Sequence, residues 1–346
     1  MEETKMRGRI VFLAVVCLAA IGILFFGSVP SQADPIKLTY SNFFPATHVQ
    51  SKLAEAWAKE VEKRTEGKAK VEYYPGQTLT KADQIYDGVV NGISDVGFSV
   101  LGYTRGRFPL MEVVDLPLGY KNGVEATNVA NAVFDKFKDQ VLNDTVVMYL
   151  HAHGPGLVHT KGKAVKKLED MKGLKIRSHG TSQKVVKALG GTPVAQPMPE
   201  TYQSLQKGVV DGAVYPLESN KGWKLGEVID SCTLDFPAAY TTTFFVTMNK
   251  EKWNALPDNV KAVIKKINEE WIPQHAKAWD ESDQEGLAFL KEKKKEIIEL
   301  DAQEGKRWAD AVQPVLSEFV DEMGKKNLPG KEALDTAQNA LKESRK

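Results

Sequence analysis

A ten-residue pattern occurs twice in this chain and limits what it can fold into. Tyr86, Val89, Gly92, Ile93 and Asp95 spell Y-x-x-V-x-x-G-I-x-D, and Tyr202, Leu205, Gly208, Val209 and Asp211 spell Y-x-x-L-x-x-G-V-x-D. Each copy reads as a helix that ends at a glycine cap and gives way, at the aspartate, to a strand. The order of elements on either side also matches. One supersecondary unit used twice predicts two similar lobes.

The rest of the chain fits that expectation. Lys37 to Ser41 reads as a strand, and Leu53, Trp57 and Val61 recur at helical spacing behind it. Val71 and Tyr73 mark a second strand, Ile85 and Val89 a helix, and Val96, Phe98 and Val100 a third strand. The stripe Val129, Val133, Phe137 and Val141 leads into a strand from Thr145 to Leu150. Short strands follow at Leu174 to Ile176, Val194 and Ala195, Val210 to Val214 and Thr243 to Met248, so the fold class is α/β with mainly parallel sheets. From Asp258, read as an N-cap, the pattern is almost wholly helical, with Pro273 predicted to kink one long helix; Ile297 and Ile298 allow a short strand, and Trp308 to Met323 stripe a further helix. With 346 residues, 42% hydrophobic and 26% charged, the chain can bury two cores, which excludes a disordered or collagen-like protein. A formal charge of +1 gives no basis for nucleic-acid binding.

Residues 1–33 read as an export signal. Lys5, Arg7 and Arg9 precede an apolar run from Ile10 to Gly27, and Ser31 and Ala33 frame Gln32 as a signal peptidase requires, predicting cleavage before Asp34. An uncleaved membrane anchor is the alternative, given the length of the run. Cys17 lacks the context for lipidation. Cleavage removes three basic and two acidic side chains, Glu2 and Glu3 being the latter, and leaves a formally neutral protein with Cys232 as its only thiol. A lone cysteine forms no internal disulfide, so stability must come from the cores.

No Walker loop, G-x-S-x-G, H-E-x-x-H, C-x-x-C or dinucleotide fingerprint is present. His151 and His153, on one face of a strand with His159 nearby, are the best candidate for the start of a metal site, and they carry the alternative reading of an exported metal-dependent hydrolase. Without further ligands, neither a metal nor a cofactor is expected. Arginine is more informative. Outside the signal there are six, Arg64, Arg105, Arg107, Arg177, Arg307 and Arg345, and only Arg177 stands at the carboxyl end of a strand. That end faces the crevice where α/β sheets bind ligands, and a guanidinium fork there suits a carboxylate or sulfonate. Pairing to a nearby acid for structure is the other reading of Arg177.

The run Leu168-Glu169-Asp170-Met171-Lys172-Gly173-Leu174-Lys175-Ile176-Arg177 resembles the central motif of the solute receptors of tripartite ATP-independent periplasmic (TRAP) transporters, the DctP family. Gln206 to Gly212 resembles a second motif of that family, and Asn91 to Asp95 its counterpart in the first lobe. The resemblance covers nearly all of the chain after residue 33. It implies a two-lobed periplasmic binding protein fold with crossover hinge strands and a long bracing helix. Lobe I would comprise residues 34–155 plus about 249–285, and lobe II residues 156–248 plus about 286–346. It further implies a monomeric periplasmic receptor, not an enzyme, that captures a small organic acid between the lobes and delivers it to the membrane permease subunits. Arg177 would grip the acid group, with Phe43, Val100, Tyr103, Met198 and Tyr215 at the matching cleft positions. His179 and Glu218 are further candidates for hydrogen bonds to the ligand. Members that bind sialic acid carry a second arginine where this chain has Leu157, so the resemblance points here to an acid with an apolar or aromatic body, or a compact oxo-, hydroxy- or sulfonic acid. Coupling to a sensor in place of a permease is a further reading of the same receptor.

Overall fold

The computed structural model describes residues 34–346 except Arg105, so the expected export signal with Cys17, and Arg105 itself, lie outside the described residues. In chain order the first elements are β1 (Ile36–Asn42), α1 (Val49–Arg64), β2 (Ala69–Tyr74), α2 (Ile85–Val90), β3 (Val96–Val100), α3 (Gly123–Phe137), β4 (Thr145–Ala152), β5 (Gly156–Thr160), β6 (Lys175–Ser178), α4 (Ser182–Ala188) and β7 (Thr192–Ala195). There follow α5 (Thr201–Gln206), β8 (Gly212–Pro216), α6 (Ser219–Gly222), β9 (Ser231–Leu234), β10 (Thr243–Asn249), α7 (Lys250–Ala255), α8 (Asp258–Glu292), β11 (Glu296–Glu299), α9 (Ala302–Lys325) and α10 (Gly330–Ser344). Two sheets organise them, one ordered β2-β1-β3-β10-β4 and the other β11-β9-β5-β8-β6-β7. No helix among the described residues is long and apolar enough to cross a membrane.

The duplicated pattern produces the same geometry in both sheets. Gly92 and Gly208 take φ of +72° and +69°, the left-handed conformation that only glycine adopts without strain, and so end α2 and α5. The next amides close the caps, Ile93 N on Gly88 O at 2.8 Å and Val209 N on Ser204 O at 2.9 Å. Asp95 then clamps its parallel neighbour β1: its amide donates to Thr39 O, and its Oδ2 accepts from Thr39 N at 2.8 Å. Asp211 does the same to β6, donating to Lys175 O and accepting from Lys175 N at 2.7 Å. The repeated aspartate thus fixes the start of an inner strand against its neighbour in each lobe.

The sheets are mixed, which corrects the expectation of mainly parallel pairing. β10 runs antiparallel to both β3 and β4, and β5 antiparallel to both β8 and β9. The reason is the path of the chain. It leaves the first sheet through β4 into β5 and returns from β9 into β10, so the outgoing and returning strands oppose one another. The two crossings run side by side, with Gly156 N on Tyr240 O at 2.8 Å and His153 N on Thr242 O at 3.4 Å. Two segments differ from the expected lobes. β10 pairs in the first sheet although residues up to 248 were expected in lobe II, because a returning strand belongs to its destination. Helix α10 packs on α3 of the first lobe, where Ser344 Oγ accepts from Asn128 at 2.8 Å and Arg345 pairs with Glu125 at 2.9 Å. α8 begins with Asp258 already inside it, Pro257 being the cap, and runs unbroken through Pro273. Its first half grips α1, Trp57 Nε1 donating to Asn268 Oδ1 and Trp271 Nε1 to Leu53 O, both at 2.9 Å. Its second half reaches the other lobe, where Asp283 accepts from Glu218 N at 2.8 Å.

Asp235, in the returning crossing, is fully buried and accepts from Val158 N at 3.1 Å. Burial pushes its carboxyl up to about 7. The unfolded chain releases this proton near pH 4, so the contribution of Asp235 to stability is full below that value and is lost as pH rises through about 7. Asp235→Asn keeps the accepting oxygen without the charge. It is expected to raise stability relative to wild type at pH 8, by at most about 4 kcal/mol, and to gain little at pH 4. Thermal unfolding at the two pH values checks this, and an equal change at both would refute it.

Candidate functional site

The carboxyl ends of the parallel strands converge between the lobes on a cavity. Phe43 follows β1, Val100 ends β3 and Tyr103 lies in the 3₁₀ turn behind it. From the other lobe come Arg177 near the end of β6, His179 after it, Met198 in the turn before α5, Tyr215 near the end of β8, and Glu218. All eight side chains proposed from sequence line this one cavity.

Arg177 is the unusual member. Arg64, Arg107, Arg307 and Arg345 are about one-third or more exposed and each pairs with acidic side chains. Arg177 is 1% exposed, and among the described residues no carboxylate pairs with it. Its Nε donates to Gln196 O at 2.9 Å, and its Nη2, also buried, has no hydrogen-bond partner. Leaving a guanidinium buried with so few acceptors is costly, and an anion in the cavity would relieve that cost. Thr242 Oγ1 and the Tyr240 hydroxyl are further buried polar atoms of the cavity wall without a partner. Burial pushes the Tyr103 hydroxyl up, and the nearby Arg177 charge partly opposes that rise.

The remaining wall is aromatic, much of it from residues that the sequence reading did not assign to the site. Trp223, Tyr240, Phe244 and Trp279 join Phe43 and Phe44. Phe43 stacks on Phe44 with centroids 4.3 Å apart and, across the lobes, on Trp223 at 6.0 Å and 19°. Tyr103 also crosses the lobes, its hydroxyl oxygen accepting from Met198 N at 2.8 Å. The signal for Phe244 lies in pairing: it sits opposite Val100 in the β3–β10 ladder. Tyr215 is held from behind by the His159 ring, stacked on it at 3.8 Å, and by Asn220, whose Oδ1 accepts from the Tyr215 hydroxyl at 3.3 Å. His159 donates from Nδ1 to Leu157 O and accepts at Nε2 from Asn220, and burial holds it down to about 3, so it remains neutral at physiological pH.

The histidines read as the start of a metal site serve packing. His151 accepts at Nδ1 from Trp279 Nε1 at 2.9 Å and stacks on His275 at 4.2 Å. His153 donates from Nδ1 to Gly154 O at 2.6 Å, and burial lowers it to about 4. Among the described residues no group of three or more His, Cys, Asp or Glu side chains is placed to hold a metal ion.

Residues 40–323 match the model of bacterial extracellular solute-binding protein family 7, DctP. The chain is 26% identical over 306 residues to the C4-dicarboxylate-binding periplasmic protein DctP of Rhodobacter capsulatus, covering 86% of this chain and 90% of that one. Its structure is similar to a TRAP solute-binding protein from Rhodoferax ferrireducens in complex with copurified benzoate, with a TM-score of 0.85, 28% identity, and coverage of 90% of this chain and 98% of that one. It is also similar to a marine-metagenome TRAP solute-binding protein specific for aromatic acid ligands, in complex with 3-hydroxybenzoate, with a TM-score of 0.86, 28% identity, and coverage of 90% and 99%.

Proposed function

The chain belongs to bacterial extracellular solute-binding protein family 7, and on that premise we propose which ligand it takes and which side chains hold it. It is a TRAP-type solute receptor for organic acids, not an enzyme, from a periplasmic family that works with TRAP membrane permeases. The hydrolase reading through His151 and His153 falls with that membership.

The proposed ligand is a small monocarboxylate with an apolar or aromatic body, captured by a monomeric receptor that is exported by a cleavable signal at residues 1–33. The observation that carries the reading is the buried, unpaired guanidinium of Arg177 in an aromatic cavity. One arginine supplies one bidentate grip, which suits a single acid group better than a dicarboxylate. Phe43, Val100, Met198, Tyr103 and Tyr215 pack the body, with His179 and Glu218 as polar contacts. The benzoate and 3-hydroxybenzoate held by the two similar structures are acids of this kind. Capture closes the lobes because such a ligand touches both only when they meet.

A thermal-shift screen of the purified receptor against organic acids tests the class, since a ligand that binds only the folded state raises Tm. Aromatic and apolar monocarboxylates are expected to give the largest shifts; a response confined to neutral or cationic compounds would overturn the reading. The acid group is further expected to accept from Thr242. Thr242→Val removes that donor while keeping shape, and should weaken the cognate acid by about tenfold, as one hydrogen bond to a charged group requires, without lowering the Tm of the free protein. Calorimetric titration measures the first effect and ligand-free unfolding the second.

A further inference from the structure

Resting on the acid-receptor reading, we propose that the ligand carries, away from its acid group, a hydrogen-bond donor, a hydroxyl or a protonated amine, that seats on the Glu218 carboxylate. Glu218 lines the same cavity as Arg177 and is 3% exposed, yet the two side chains form no ion pair with each other. Its present partners are two neutral donors. Ser219 Oγ donates to Oε1, and His48 Nε2 donates across the lobes to Oε2 at 2.9 Å. His48 caps α1 by accepting at Nδ1 from Gln50 N at 3.2 Å, so its single proton sits on Nε2 and the ring brings no charge to Glu218.

A carboxylate offers about four acceptor positions, and the structure fills two of those on Glu218. No lysine or arginine among the described residues pairs with it. The neighbouring walls add no further donor to it: the Phe43 and Phe44 rings carry none, Trp279 donates its N–H to His151 and Tyr215 its hydroxyl to Asn220, and the Tyr240 and Thr242 hydroxyls, on the same cavity, form no hydrogen bond with Glu218. A buried acid left with unused acceptors is costly unless something in the cavity donates to it. The cavity therefore presents a guanidinium that lacks an anion and a carboxylate that lacks donors, and a single small ligand answers both only if it bears both groups. A donor-free acid would satisfy Arg177 and leave Glu218 beside apolar atoms.

Calorimetric titration with matched acids tests this: benzoate against 3-hydroxybenzoate and 3-(aminomethyl)benzoate, and pentanoate against 5-hydroxypentanoate and 5-aminopentanoate. In at least one set a donor-bearing acid is expected to bind wild type at least about tenfold more tightly than its donor-free parent. Glu218→Met should abolish that preference while still binding the parent acid. Glu218→Gln, which keeps an accepting oxygen for His48 and for the ligand, should retain a preference for the hydroxyl and lose one for the amine, and so identifies the donor. Binding of the parent acids with no donor preference overturns this inference and leaves the acid-receptor reading standing, as does a preference that survives in Glu218→Met. Binding of no acid by wild type overturns both. The wild-type comparison stands even where the methionine variant fails to fold.

Discussion

Arg177→Met is expected to weaken binding of the cognate acid by roughly 100-fold to 1,000-fold, the loss that follows from removing one side of a buried, hydrogen-bonded charge pair. The free protein should respond differently. Arg177 is buried with Gln196 O as an acceptor and, among the described residues, no carboxylate paired with it, so the ligand-free receptor carries a desolvated charge without an ion-pair partner. Replacing that charge by an apolar side chain of similar length removes an unfavourable burial, and the Tm without ligand is expected to hold or rise. Affinity and stability therefore move in opposite directions, which separates loss of a ligand contact from loss of fold. Arg177→Lys keeps the charge but not the planar fork, and should recover only part of the affinity. Calorimetry with the strongest ligand from the thermal screen provides the measurement. Affinity within threefold of wild type in the methionine variant would refute the assignment.

The sequence announced this residue because chemistry and position coincide there: a strand that ends in arginine, with the remaining arginines in helices, loops or the tail. The duplicated helix–cap–strand unit was legible for a similar reason, since a glycine forced to positive φ and an aspartate that clamps the next strand leave fixed letters at fixed spacing. What escaped has no local signature. β10 is buried along its whole length, so no alternation marks Phe244 as facing the cavity, and its place opposite Val100 depends on a crossing between lobes. Trp279 belongs to the stripe of α8 and reads as core, which in part it is. Trp223 follows the four-residue helix α6, too short for any periodicity. His48 caps α1 with one ring nitrogen and meets Glu218 with the other, a pairing that joins positions far apart in the chain. Residues at strand ends are thus readable one at a time, while the surface that two lobes make together is not.

The brace between those lobes has a point where one methyl group should be decisive. Gly286 lies on α8 against the segment that carries Tyr215 and Glu218, and a Cβ there would stand 2.5 Å from the carbonyl carbon of Leu217, closer still to its oxygen, and 2.9 Å from Glu218 Cα. These are backbone atoms that no rotamer change can move aside, and they adjoin the Glu218 amide bonded to Asp283. Gly286→Ala is therefore expected to push α8 away from the second lobe, at a cost of about 3 kcal/mol or more and a fall in Tm of roughly 5 °C or more. It should weaken ligand binding as well, because Glu218 and Tyr215 move with the displaced segment. Gly324, inside α9 with open space where its Cβ would stand, supplies the contrast. Gly324→Ala should stabilise by about 0.5–1 kcal/mol through helix propensity alone and leave affinity unchanged. Thermal unfolding and titration of both variants check the pair. If Gly286→Ala were as harmless as Gly324→Ala, close contact of α8 with the Leu217–Glu218 backbone would not be what sets the distance between the brace and the second lobe.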